Sequence, residues 1–204
     1  MSGYYGTMLL ASITTIALGT GMYHFFFDKN IMDSIYWFFV ETDSYLWWNL
    51  GIVNAVFFSV AGAAVGIWTT GSTIMGAGVK APHIKTKNLI SIIFCEAVAI
   101  YGLVIAILMT TSMPQWKIDY AGDIEILNKL RHGGYVAFGC GTIVGVANLC
   151  CGAVIGVVGS GTALADASNP SLFVKILLFE IFASIIGIYG LIVGVFLTSK
   201  LPTL

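Results

Sequence analysis

The chain has 204 residues, of which 58% are hydrophobic, only 9% are charged and 24 are glycine. A soluble domain carries about 25% charged residues, and a core of this size cannot hide so much apolar surface, so the expected solvent is lipid. A formal net charge of −1 offers no cationic face for nucleic acid.

Five apolar segments are predicted to cross the membrane, at roughly 7–27, 49–78, 88–112, 134–164 and 172–198, each near the length a bilayer requires. The first closes on His24-Phe25-Phe26-Phe27-Asp28 and has no basic residue ahead of it, unlike a cleaved secretory signal, so it reads as a retained helix. Beyond it, Ile35-Tyr36-Trp37-Phe38-Phe39 and Trp47-Trp48 read as an aromatic belt at the membrane surface. Pro82, Pro114, Pro170 and Pro202 all fall between or after segments, where proline punctuates helices. The short loop 80–87 holds Lys80, Lys85 and Lys87 and is expected on the cytoplasmic side. With an odd number of crossings, that puts the N-terminus in the cytoplasm and the C-terminus on the lumenal side. The expected organisation is an N-terminal helix with an interfacial loop (1–48), a first hairpin (49–113), a lumenal loop (114–133) and a second hairpin (134–204).

The two hairpins repeat one another. Ile100-Tyr101-Gly102-Leu103-Val104 is echoed by Ile188-Tyr189-Gly190-Leu191-Ile192, and the stretch ending at Glu96 by the stretch ending at Glu180. Each unit holds two crossings, so the repeats are parallel, unlike those of inverted-repeat transporters. The leading helix of each carries small residues at steps of three and four, hence on one face. These are Ala55, Ser59, Gly62, Gly66, Thr70, Thr73 and Ala77, and then Gly141, Gly145, Asn148, Gly152, Gly156, Gly159 and Ala163. Such ladders let helix backbones approach closely and suit the inner wall of a ring.

Glu96 lies within a span otherwise apolar enough to cross the bilayer. An ionised carboxylate there costs about 2.5–3.5 kcal/mol on insertion scales, so the acid is either protonated or partnered. A group that alternates between those states can carry a proton. At 1.5 Å rise per residue, Thr69, Thr70 and Thr73 fall at a similar depth on the preceding helix, and their hydroxyls are candidate neighbours. Tyr101 is another. Glu180 is a second intramembrane acid, with mostly Gly152, Ala153, Gly156 and Val157 at the corresponding level. Cys95, Cys140, Cys150 and Cys151 read as packing residues, and His24, His83 and His132 have no metal-ligand spacing, so no metal or cofactor is expected. There is no Gly-x-x-x-x-Gly-Lys phosphate loop, and no independent catalytic activity is expected of the chain.

Phe94-Cys95-Glu96-Ala97-Val98-Ala99-Ile100-Tyr101-Gly102-Leu103, with the Gly-rich helix before it, resembles the carboxylate helix of the vacuolar-type proton-pumping ATPase proteolipids. The resemblance spans about residues 49–199, and the additional N-terminal helix is similar to that of the c″ (21 kDa proteolipid) branch. It implies an all-α membrane protein assembled in a rotor ring with other proteolipid subunits. The implied partners are the lipid, the a subunit with its arginine, and the central-stalk d subunit on the cytoplasmic face. It also implies work in vacuolar or other endomembrane acidification, with ATP hydrolysed elsewhere. The family's proton-binding glutamate stands five residues before the tyrosine. Glu96 holds that position, whereas Glu180 is nine residues before Tyr189 and Ser184 stands five before it; Glu180 is therefore read as a possible auxiliary. The rival reading is a small proton-coupled secondary transporter, which needs a substrate pocket around Glu96. A third is a structural or lipid-organising membrane protein.

Overall fold

The computed structural model describes residues 29–81, 84, 88–115 and 123–202. The predicted first crossing and most of the basic loop 80–87 lie outside the described residues.

Among the described residues the secondary structure is helical. Helix α1 (Lys29–Glu41) belongs to a separate unit that ends at Asp43. Tyr36, Trp37, Phe38 and Phe39 are all exposed on it. The second unit, from Ser44 onward, holds α2 (Ser44–Lys80), α3 (Leu89–Thr111), α4 (Ile124–Ser168) and α5 (Phe173–Thr198), with a 3₁₀ turn over Pro170–Leu172 leading into α5. These four are long and apolar enough to cross a membrane.

Several boundaries differ from the sequence expectation. Helix α2 starts at Ser44 rather than 49, and α4 starts at Ile124 rather than 134, so much of the expected 114–133 loop is helix. The cause at α4 is local: the Asp123 carboxylate accepts from the backbone N–H groups of Glu125 and Ile126, at 2.9 and 3.4 Å. This N-cap satisfies donors that a helix start leaves bare. A 45-residue helix is roughly 68 Å long at 1.5 Å per residue, against a hydrocarbon core of about 30 Å. Helix α4 must therefore project well beyond the lipid.

Helices α2 and α4 form the central pair, with α3 against α2 and α5 against α4. The small-residue ladders are what meet. Gly62, Gly66, Gly141, Gly145, Gly152 and Gly156 are all buried. A Cβ at Gly62 would lie 2.7 Å from the Asn148 carbonyl oxygen, and one at Gly66 would lie 2.6 Å from that of Gly152. One at Gly145 would lie 2.5 Å from the carbonyl oxygen of Asn54. Backbone touches backbone along the pair, which is the packing available to helices that gain nothing from hiding apolar surface in lipid.

Trp47 and Trp48 are not part of an exposed belt. Trp48 is 1% exposed and its indole N–H donates to the Met109 carbonyl at 3.0 Å, while Trp47 packs on the rings of Tyr135 and Phe138. The earlier start of α2 explains this. Residues expected in a surface loop lie instead on the first turn of a bundle helix, where Trp48 fills the end of the core with Met109, Ala137, Cys140 and Leu201.

Candidate functional site

The two intramembrane acids occupy opposite environments. Glu96 is exposed on α3, roughly 10 Å along the axis from the helix start at 1.5 Å per residue. Ile93, Ile100, Leu103 and Ile107 share its face, at three residues before and four, seven and eleven after, and they are 50–61% exposed. A single carboxyl thus sits in an outward aliphatic stripe, and among the described residues nothing hydrogen-bonds to it. In lipid an ionised carboxylate in that setting would be costly.

Glu180 is fully enclosed. The Ser91 hydroxyl donates to its Oε1 at 2.7 Å, and Oε2 has no partner among the described residues. Ser91 itself is 1% exposed, on the same buried side of α3 as Cys95, Val98 and Gly102.

The threonines expected near Glu96 serve other groups. Thr69 donates to the Val65 and Gly66 carbonyls at 2.9 and 3.0 Å, and Thr73 donates to the Thr69 carbonyl at 3.0 Å. Thr70, buried between helices, donates to the Gly156 carbonyl on α4 at 3.1 Å. The hydroxyl that does reach a glutamate is that of Ser91, and the glutamate is Glu180. Tyr101 is half-buried with its ring against Gly187 of α5, where an added Cβ would lie 3.2 Å from Tyr101 Cδ2; its counterpart Tyr189 is 63% exposed.

Sequence reasoning missed Ser91. Its signal was its place, one helical step from Cys95 on the face that later carries Val98 and Gly102, which marks it as inward-facing and in need of a partner. Polar side chains also tie one hairpin to the other. The Asn148 amide donates to Ser59 Oγ at 2.8 Å, and the Asn54 amide donates to Thr142 Oγ1 at 3.2 Å. A prominent apolar groove of about 610 Å³ runs along α2, lined by Ile52, Val53, Val56, Phe57, Val60, Ala61 and Ala64. Glu96 does not line it, so it is not the substrate pocket a transporter would need there.

The family of ATP synthase C subunits matches residues 50–109 and 138–197, one match on each hairpin. A V-type proton ATPase c″ subunit from Saccharomyces cerevisiae is 50% identical over 164 residues, 80% of this chain and 75% of the relative. The chain belongs to the V-type proton ATPase c″ proteolipid family. A c″2 subunit from Arabidopsis thaliana is 47% identical over 161 residues, 79% of this chain and 88% of the relative. The 16 kDa proteolipid, or c subunit, of the V-type proton ATPase from Rattus norvegicus is 34% identical over 151 residues, 74% of this chain and 90% of the relative. Counted from the start of each matched segment, Tyr101 and Tyr189 hold the same position, and so do Glu96 and Ser184. By that register Glu180 is the equivalent of Ile92 rather than of Glu96.

Proposed function

We propose that the chain is a subunit of the membrane rotor ring of a V-type ATPase and that Glu96 carries the pumped proton. The observation that supports this most is the outward aliphatic stripe with one carboxyl in it. Protonated, Glu96 can face lipid; ionised, it costs about 2.5–3.5 kcal/mol or more there and needs a cation. The arginine of the a subunit is the cation the family offers. Each passage between lipid and that arginine then loads and unloads one proton, and ATP hydrolysis in a separate sector turns the ring.

The selectivity follows from the same surroundings. A bare metal cation needs several oxygen ligands, and the side chains that share the face of Glu96 are aliphatic, which favours a proton. The partners in this reading are other proteolipid subunits packed through the glycine-rich helices, the d subunit on the cytoplasmic face, and lipid around the outside. The setting is a vacuolar or other endomembrane, with the N-terminus cytoplasmic, the C-terminus lumenal and the organelle interior acidified.

The test is Glu96→Gln in an otherwise complete pump. The ring should assemble, and ATP-driven acidification of sealed vesicles should drop to background. Acidification at the full rate with the variant present in the ring overturns the assignment.

A further inference from the structure

Glu180 has no part in that mechanism. Among the described residues it is a buried acid with one hydrogen bond and no counter-charge, and a proton carrier in a rotor must be reached from outside, which a fully enclosed side chain is not. Burying an ionised carboxylate without a partner is costly. A neutral glutamic acid, by contrast, needs only hydrogen bonds, and Ser91 supplies one at 2.7 Å.

The groups around Glu180 are small, polar or sulfur-bearing and close in on it. From α3, Ser91 and Cys95 turn inward; from α2 comes Thr70, which lies within hydrogen-bonding reach of Cys95; and Cys95 lies near Glu180. From α4, Gly159 closes the space, since a Cβ there would lie 3.0 Å from both Ser91 Cβ and Thr70 Oγ1. None of these groups is cationic. Lys175, the basic residue of α5, is exposed and five residues away, off the face that Glu180 shares with Ala183, Ser184 and Gly187.

The pair also lies in a telling place. Helices α3 and α5 belong to different hairpins. Ser91 is five residues from Glu96, and Cys95 is its neighbour in the chain. The buried side of α3 is fixed by Ser91 on Glu180 and by Cys95 against Gly66, where an added Cβ would lie 2.8 Å from the Cys95 sulfur. With that side fixed, the helix turns Glu96 outward.

We propose that Glu180, fully buried and bonded to Ser91, is a positioning residue that holds α3 against α5 and aims Glu96 at the lipid. The inference rests on the reading of Glu96 as the proton carrier, but its readout does not require it. Reaction of Glu96 with a hydrophobic carbodiimide, followed by mass spectrometry across a pH series on the assembled ring, reports how the Glu96 carboxyl meets lipid, whatever it carries.

Glu180→Gln keeps a neutral carbonyl for Ser91 and should retain the wild-type labelling profile of Glu96. Glu180→Leu and Ser91→Ala each remove the bond. In both, Glu96 labelling should fall by roughly five- to tenfold, the span of one lost buried hydrogen bond, with its pH midpoint moved. The double variant should be no worse than the more severe single variant, because both remove the same bond. A Glu180→Gln profile as altered as that of Glu180→Leu overturns the proposal, because it would mean the charge is needed. A Glu180→Leu ring that labels like the wild type overturns it as well. Failure of Glu96→Gln to stop acidification would instead remove the carrier reading and leave these labelling results standing.

Discussion

At the scale of the residue, burial separates two glutamates that composition treats alike. Glu96 is exposed among Ile93, Ile100 and Leu103, and Glu180 is fully enclosed. A hydrophobic carbodiimide dissolves in lipid and reacts with the protonated carboxyl, so it should modify Glu96 and leave Glu180 unmodified. The sign with pH is fixed by the chemistry: lowering the pH raises the protonated fraction, so labelling increases on acidification. Adducts confined to Glu180 would reverse the assignment. Asn148 makes a smaller prediction at the same scale. Its amide reaches Ser59 across the hairpins in a fully buried setting, and bonds of this kind between membrane helices are worth about 0.6–1.7 kcal/mol. Asn148→Ala should lower the thermal stability of the detergent-purified protein by about that much and leave the Glu96 labelling profile in place. A loss several times larger would mean that Asn148 does more than join two helices.

At the scale of the element, the ladders of small residues decide which helices meet. Gly152 would place a Cβ against the backbone of Gly62, whereas Gly71 and Gly76 have nothing within 4 Å. Gly152→Ala or Gly62→Ala should therefore cost about 1–3 kcal/mol, as overpacking does, and the Leu variants should abolish recovery of the folded protein. Gly71→Ala should be neutral or slightly favourable, since alanine is the better helix former. Equal recovery of Gly152→Leu and wild type in detergent would refute the α2–α4 contact. This layer was legible in the sequence because steps of three and four fix a helical face and small residues mark close approach. The ends of the elements were not. Asp123 acts as an N-cap only once Ile124 is helical, and Trp47-Trp48 has the composition of a membrane belt whether the rings face lipid or a neighbouring helix. The surroundings of the candidate site were legible only in part. The resemblance to the family motif, with Glu96 five residues before Tyr101, marked Glu96 as the candidate, but axial depth alone said nothing of which way Thr69, Thr70 and Thr73 pointed.

At the scale of the whole bundle, the question is what keeps two hairpins together when lipid is as apolar as the surfaces they bury. Close backbone contact along α2 and α4 supplies dispersion. The polar links at Asn54–Thr142, Ser59–Asn148, Thr70–Gly156 and Ser91–Glu180 all cross from the first hairpin to the second. They fix register, because each leaves a polar group unpaired in an apolar interior if the hairpins slide. Each hairpin satisfies its own backbone within its helices, so each can insert alone and then associate. Two chains, 1–115 and 116–204, expressed together should therefore reunite in the membrane, and a tag on one should recover the other at close to equal amounts. Gly152→Leu in the second chain should abolish that recovery, because it blocks the contact along its whole length. Ser59→Ala with Asn148→Leu should weaken it only several-fold, since the apolar pair left behind still packs. If the two pieces failed to recover each other while each remained helical and membrane-inserted, association would depend on the covalent connection rather than on the α2–α4 surface. The bundle could not then be treated as one rigid body.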